Sequence, residues 1–267
     1  MLRRLVPLVG INAVPLGGVF LAGWSPATAL TLYWWENLIG AALVALRIAL
    51  HRLLTRKRGH LRLQLGLQEN SGGEEAAAKR RSTRKSRGGV DAEPGSFLGE
   101  FLLVAGAGTA LHGVLLWAVL RGVLEAGPEG EQLRLGVLLV GLFQLGGFVL
   151  DLVGIRRRPF AWIRELAQAT AARVSLLHLT LIVGFWFATG PVGLSGVLRP
   201  FVVLKALADL GGALSRAGFN ADPEEAPPWL AATMNRLRPE GGDFGAHWRE
   251  RKERERGLRE QDEQVVG

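Results

Sequence analysis

One carboxylate stands where a carboxylate is costly. Residues 27–50 read ATALTLYWWENLIGAALVALRIAL, with Glu36 and Asn37 near the middle. An apolar stretch of this length, at about 1.5 Å per residue, is long enough to cross a bilayer. An acid at the centre of such a span costs about 2.5–3.5 kcal/mol on insertion scales. The cost is tolerated when the group faces protein or water, carries a proton, or finds a partner. Helical spacing puts Tyr33, Glu36, Asn37 and Gly40 on one face, and Leu32, Trp35, Ile39 and Leu43 on the opposite one. A second candidate is Lys205 with Asp209, four residues apart and therefore able to pair on one helix. His112 and His178 lie in further apolar runs, and Asp151 lies near the end of another. The chemistry open to such groups is proton or solute passage, or hydrogen bonding between helices. Metal binding is a weaker option, with His178, Asp209 and Asp151 as its candidate ligands. A metal needs about three ligands converging at ~2 Å, and no HExxH or paired-His spacing is present.

The elements that must position these groups are apolar helices. The hydropathy pattern predicts an all-α fold, a polytopic transmembrane bundle of six spans at about 5–23, 27–50, 97–120, 133–155, 174–189 and 194–214. The bundle occupies 1–214 and a charged cytoplasmic tail occupies 215–267. Residues 51–96 form a polar loop, rich in Gly, Ser and charge from 70 to 95 and expected to be disordered. Within it, KRRSTRKSR begins at Lys79 and ends at Arg87; it could hold anionic lipid. Residues 160–173 read as a short interfacial helix with Phe160, Trp162, Ile163 and Leu166 toward lipid. WRERKERERGLREQDE, near the C-terminus, reads as a solvated helix with Glu–Arg pairs and no apolar stripe.

Charge and composition agree with a membrane protein. The net charge is +8, but apolar residues make up 48% and arrive in long runs. Basic charge between such runs marks topology rather than a nucleic-acid footprint, and no nucleic-acid partner is expected. Lys and Arg gather at Arg3 and Arg4, in 51–96, and again at 156–173, while the turns at 24–26 and 190–193 carry none. That alternation places both termini in the cytoplasm of a multi-pass cell-membrane protein. The chain has eight Trp and one Tyr, which suits membrane interfaces. It has no Cys, which excludes disulfides and thiolate metal sites. No sequence feature names a cofactor.

Three stretches carry a family resemblance. YWWEN with the following LIG resembles the signature of an uncharacterised integral-membrane family, domain of unknown function 6498. RVSLLHLTLIVG, beginning at Arg173, is similar to that family's Arg-x-x-x-Leu-His-x-Thr span. LKALADL, which holds Lys205 and Asp209, resembles its Lys-x-x-x-Asp ending. The third span departs from the pattern: it reads VAGAGTALHG, with His112 as its histidine. The resemblance implies a polytopic membrane protein and no particular activity.

Counting rise along each span gives depths from the inner face of ~16 Å for Glu36, ~21 Å for His112, ~12 Å for Lys205, ~10 Å for Asn12, ~9 Å for His178 and ~6 Å for Asp209. This predicts two layers of polar groups, with Glu36, Asn37 and His112 above the rest. Three readings follow. The first is a small-solute or proton-linked transporter that uses Tyr33, Glu36, Asn37, His112, His178, Lys205 and Asp209. The second is a structural or partner-binding membrane protein whose polar residues only specify packing. The third and weakest is an intramembrane metal-dependent enzyme.

Overall fold

The computed structural model describes residues 2–61, 96–122, 127–188, 193–216, 225–237 and 243–266; the side chains of 2–5, 176–195, 197 and 213–216 lie outside that description. The basic run 79–87 and its surrounding loop also lie outside the described residues. Among the described residues six helices make the bundle: α1 (Leu2–Phe20), α2 (Pro26–Thr55), α3 (Phe97–Gly122), α4 (Gly130–Leu152), α5 (Phe160–Ala188) and α6 (Gly193–Arg216). Two more follow, α7 (Pro228–Leu237) and α8 (Phe244–Glu263). Among the described residues there is no strand, only an isolated bridge between Lys57 and Val265. Length and composition make α2, α3 and α4 suited to crossing a membrane, and Val6–Phe20 forms a shorter apolar helix.

The stretch 27–50 lies at the centre of the bundle, because α2 touches α1, α3, α4, α5 and α6. Ser25 starts it: its side chain accepts from the Thr28 amide at 3.2 Å, and Pro26 occupies the first turn, where no amide donor is needed. Two apolar clusters grip α2 at its ends. Toward its start, Ala29, Leu30 and Tyr33 pack with Val19 of α1, Leu116 of α3, and Leu198, Phe201 and Val202 of α6. Toward its end, Val44 and Ile48 pack with Phe97, Phe101 and Ala105 of α3 and with Phe160, Ile163 and Ala167 of α5. Glu36 and Asn37 lie between these clusters. At Gly10 a Cβ would come within 2.4 Å of the Phe143 ring, so this position lets α1 approach α4 closely.

Leu32 is fully buried against Gly136 of α4, while Trp35 is exposed. One sequence expectation is corrected here. Residues 160–173 are not a separate interfacial helix. They are the first half of continuous α5, and Phe160 and Ile163 are fully buried against α2 and α3. The apolar stripe is real, but its partner is protein rather than lipid.

The C-terminus is fastened to the end of α2. As expected, α8 is largely exposed and carries Arg251–Glu255 and Glu250–Arg254 pairs four residues apart. Its last turn, however, docks. Glu263 takes Lys57 Nζ on one carboxylate oxygen and the Phe160 amide, at 2.6 Å, on the other. That amide is an unsatisfied donor at the start of α5, so a carboxylate there caps the helix from a distance. Backbone bonds extend the strap: Arg58 N–H donates to Gln264 O at 2.8 Å, and Val266 N–H donates to Arg56 O at 2.9 Å. Under the strap, His51 Nδ1 and His60 Nε2 lie 2.7 Å apart, and His51 Nε2 meets the Arg158 carbonyl at 3.0 Å.

Burial foremost, then the neighbouring His51, Arg52 and Lys57, pushes His60 down to about 3. An unfolded histidine titrates near ~6.5, so below that pH the unfolded chain binds a proton that the folded chain refuses. Acidification should therefore destabilise the fold by about 1.4 kcal/mol per pH unit from this group, from ~6.5 down toward 3. The thermal midpoint of purified protein should fall between pH ~7 and ~5, and more shallowly in His60→Gln. Equal slopes for the two proteins would refute the assignment.

Candidate functional site

Between the two apolar clusters lies a group of charges drawn from separate helices. Lys205 of α6 has three N–H donors, and three acceptors surround it. These are Glu36 Oε1 of α2 at 2.7 Å, Asp209 Oδ2 at 3.0 Å and Asn12 Oδ1 of α1 at 3.4 Å. The Tyr33 ring stands 5.1 Å from the ammonium and packs edge-on to Phe201. Arg173 of α5 completes the set, with Nε 2.8 Å from Asp209 Oδ1. Two acids and two bases sum to zero, as a medium of low dielectric demands. Lys205, Glu36 and Asp209 are each about 95% or more buried. Two oxygens on the same face of α2, Glu36 Oε2 and Tyr33 Oη, are buried without a hydrogen-bond partner among the described residues.

Beside this cluster is a cavity of about 140 Å³. Its polar lining comes from Glu36, Asn37 and Arg47 of α2, Gln144 of α4, and Thr170 and Arg173 of α5. Each neutral side chain gives one hydrogen to a backbone carbonyl. Asn37 Nδ2 donates to Tyr33 O at 3.0 Å, Gln144 Nε2 to Glu36 O at 2.9 Å, and Thr170 Oγ1 to Leu166 O at 2.9 Å. Arg47 bonds Asp151 of α4 through Nε at 3.1 Å and stacks over Phe148.

The structure therefore brings together Tyr33, Glu36, Lys205 and Asp209, and places Asn37 on the adjoining cavity. The two predicted layers merge in part: Lys205 lies between Glu36 and Asp209 and bonds both. His112 is buried on α3, one turn beyond Thr109, whose carbonyl accepts from Trp34 Nε1 at 3.1 Å. The side chain of His178 lies outside the described residues. The proposed metal ligands Asp151 and Asp209 are held by different cations, Arg47 and Lys205 with Arg173. Among the described residues no three His, Asp or Glu side chains gather as a metal would require. Sequence reasoning missed Arg47 and Arg173 as members of the site. The signal was present, since each is a basic residue at or inside the edge of an apolar run.

No curated protein and no solved structure matches the chain. The stretches that hold Glu36, Arg173, Lys205 and Asp209 are the same three that carried the resemblance noted from the sequence. Residues 2–257 match the family described as a family of unknown function, DUF6498, and the chain belongs to that family.

Proposed function

We propose that the chain is a six-span carrier of a cell membrane, with both termini cytoplasmic, that couples a proton or a small solute to Glu36. The observation that carries this reading is the position of Glu36. It lines a cavity that mixes apolar groups with several polar side chains on one side and pairs across helices with Lys205, while the cluster around Tyr33 and Phe201 closes the other side with apolar groups alone. The cavity follows α2 from Glu36 to Arg47, about 16 Å at the usual helical rise, toward the basic end that the charge pattern places in the cytoplasm. An acid between a partly polar cavity and an apolar seal is a group that conformational change could expose to either side. Half of an alternating-access path has this form. A proton on Glu36 would weaken its bond to Lys205 and leave Lys205 on Asp209 and Asn12.

The test is flux. Proteoliposomes with a trapped pH dye should show protein-dependent proton movement, and Glu36→Gln should abolish it in the fraction of protein that folds. A second reading rests on a specific observation: the three donors of Lys205 are all engaged and tie α1, α2 and α6 together. On that packing reading, Glu36→Gln lowers folded yield and the wild type moves no protons.

A further inference from the structure

We propose that the cavity beside Glu36 binds a short-chain monocarboxylate together with one proton, which names the solute for the carrier reading above and rests on it. The lining carries the guanidinium groups of Arg47 and Arg173. Asn37 and Gln144 each keep one amide N–H after giving the other to a backbone carbonyl. Donors of this kind receive an anion. Arg173 stands at the inner end with Glu36, because its Nε holds Asp209, and Lys205 bonds both Asp209 and Glu36. The planar fork of a guanidinium matches a carboxylate, which can take two parallel N–H bonds. Arg47 stands at the other end beside Asp151, where its positive charge steers an anion inward. Between the ends the walls are apolar, from Leu43, Val44, Phe143 and Leu166. A guest with one anionic head and a short hydrocarbon body fits that order. About 140 Å³ holds four or five water-sized groups at roughly 30 Å³ each, which keeps the guest small.

Charge brings in the proton. Arg47, Arg173 and Lys205 stand against Asp151, Asp209 and Glu36, so the cavity and its supports are balanced. An anion alone would leave one negative charge uncompensated in a buried site, which is costly. A proton that enters with it restores neutrality, and Glu36 can take that proton. Its Oε1 holds Lys205, while its Oε2 is buried with no hydrogen-bond partner among the described residues. A proton on Oε2 turns it into an O–H donor, which suits an anion where a bare carboxylate repels one. Lys205 keeps Asp209 and Asn12 when its bond to Glu36 weakens. The charged and titratable groups around Glu36 are Tyr33 on its own helix, Lys205 and Asp209 on α6, and Arg173 on α5. From α1 and α4 come the neutral Asn12 and Gln144, and α3 carries His112 on the Trp34 side of α2.

The test uses the full chain in lipid nanodiscs with radiolabelled propionate or butyrate, and with inorganic phosphate and propylamine as competitors. The expected result is saturable binding of one carboxylate per chain that neither competitor displaces. Binding should weaken about tenfold per unit as pH rises from about 6 to 8, with one proton taken up per carboxylate. Glu36→Gln, which mimics the protonated acid, should bind without proton uptake and with little pH dependence. Arg173→Lys keeps the charge and loses the fork, and Gln144→Leu loses the amide; each should weaken binding about tenfold or more. Ser175→Ala, on α5 but outside the cavity lining, should leave it unchanged. Absence of saturable binding of both carboxylates to folded wild type overturns the site. So does equal displacement by phosphate, unchanged affinity in whichever of Arg173→Lys and Gln144→Leu folds, or wild-type binding without proton uptake. Proton movement in proteoliposomes with no carboxylate binding removes this site and spares the carrier reading. Carboxylate binding with proton uptake, but no transmembrane movement above that of protein-free vesicles, does the reverse.

Discussion

Lys205→Met should lower the stability of the purified chain by about 3–5 kcal/mol, the usual consequence of removing one partner from a buried ionic set. Methionine fills much the same volume, so the loss is electrostatic rather than a cavity effect. Without the ammonium, Glu36 and Asp209 remain buried, and Arg173 can neutralise only the second of them. This gives the prediction an internal check. Lys205→Met combined with Glu36→Gln should recover a large part of the lost folded yield, because the remaining Asp209–Arg173 pair is neutral. Lys205→Met combined with Arg173→Met should be worse than either single change. Fluorescence-detected size exclusion and thermal melts in detergent measure both. Equal yields for Lys205→Met and wild type would mean that the cluster does not hold these helices together.

Much of this cluster was legible in the sequence because burial in an apolar run is a local signal. Glu36 stands out against its neighbours, and Lys205 with Asp209 can be paired by helical spacing alone. Arg173 was hidden for the opposite reason. It falls at the boundary between a polar half and an apolar half of one helix, where a basic residue reads as a topology marker. Arg47 lies within the central apolar run but has no oppositely charged residue at helical spacing on α2, and its partner Asp151 is 104 positions away. Depth counting put Glu36 about 10 Å above Asp209, and nothing in the count could show that one long lysine side chain bonds both. The strap was illegible in the same way. Asp262 and Glu263 end a uniformly charged run, and Lys57, the partner of Glu263, is 206 positions distant. Fold class, with its apolar helices and central α2, came through clearly. Long-range pairings came through only where each partner was already conspicuous on its own.

Phe160→Ala should cost about 3–5 kcal/mol and should also loosen the C-terminal strap. The ring is fully buried at the start of α5, meets His60 edge-on at 4.9 Å and lies 5.2 Å from Phe97. Gly59 marks how tight this contact is, since a Cβ there would come within 2.3 Å of the ring. Removing the ring leaves a void beneath the short helical turn Arg58–Leu61, which carries His60 and receives the strap. The Phe160 amide survives the substitution, so the bond to Glu263 can still form. Glu263→Gln makes the opposite change. It keeps the ring and removes the charge shared between Lys57 and the amide, and should cost only about 1–2 kcal/mol. Limited proteolysis separates the two effects. Phe160→Ala should lower the melting midpoint strongly and expose the segment after α8 to cleavage. Glu263→Gln should expose that segment with little change in midpoint. If Phe160→Leu restores the midpoint but not the protection, the edge-on contact with His60 is what seats the strap. If neither substitution changes cleavage, the carboxylate and the ring do not hold the C-terminus, and the bond between Glu263 and α5 has no part in fastening the end of α2.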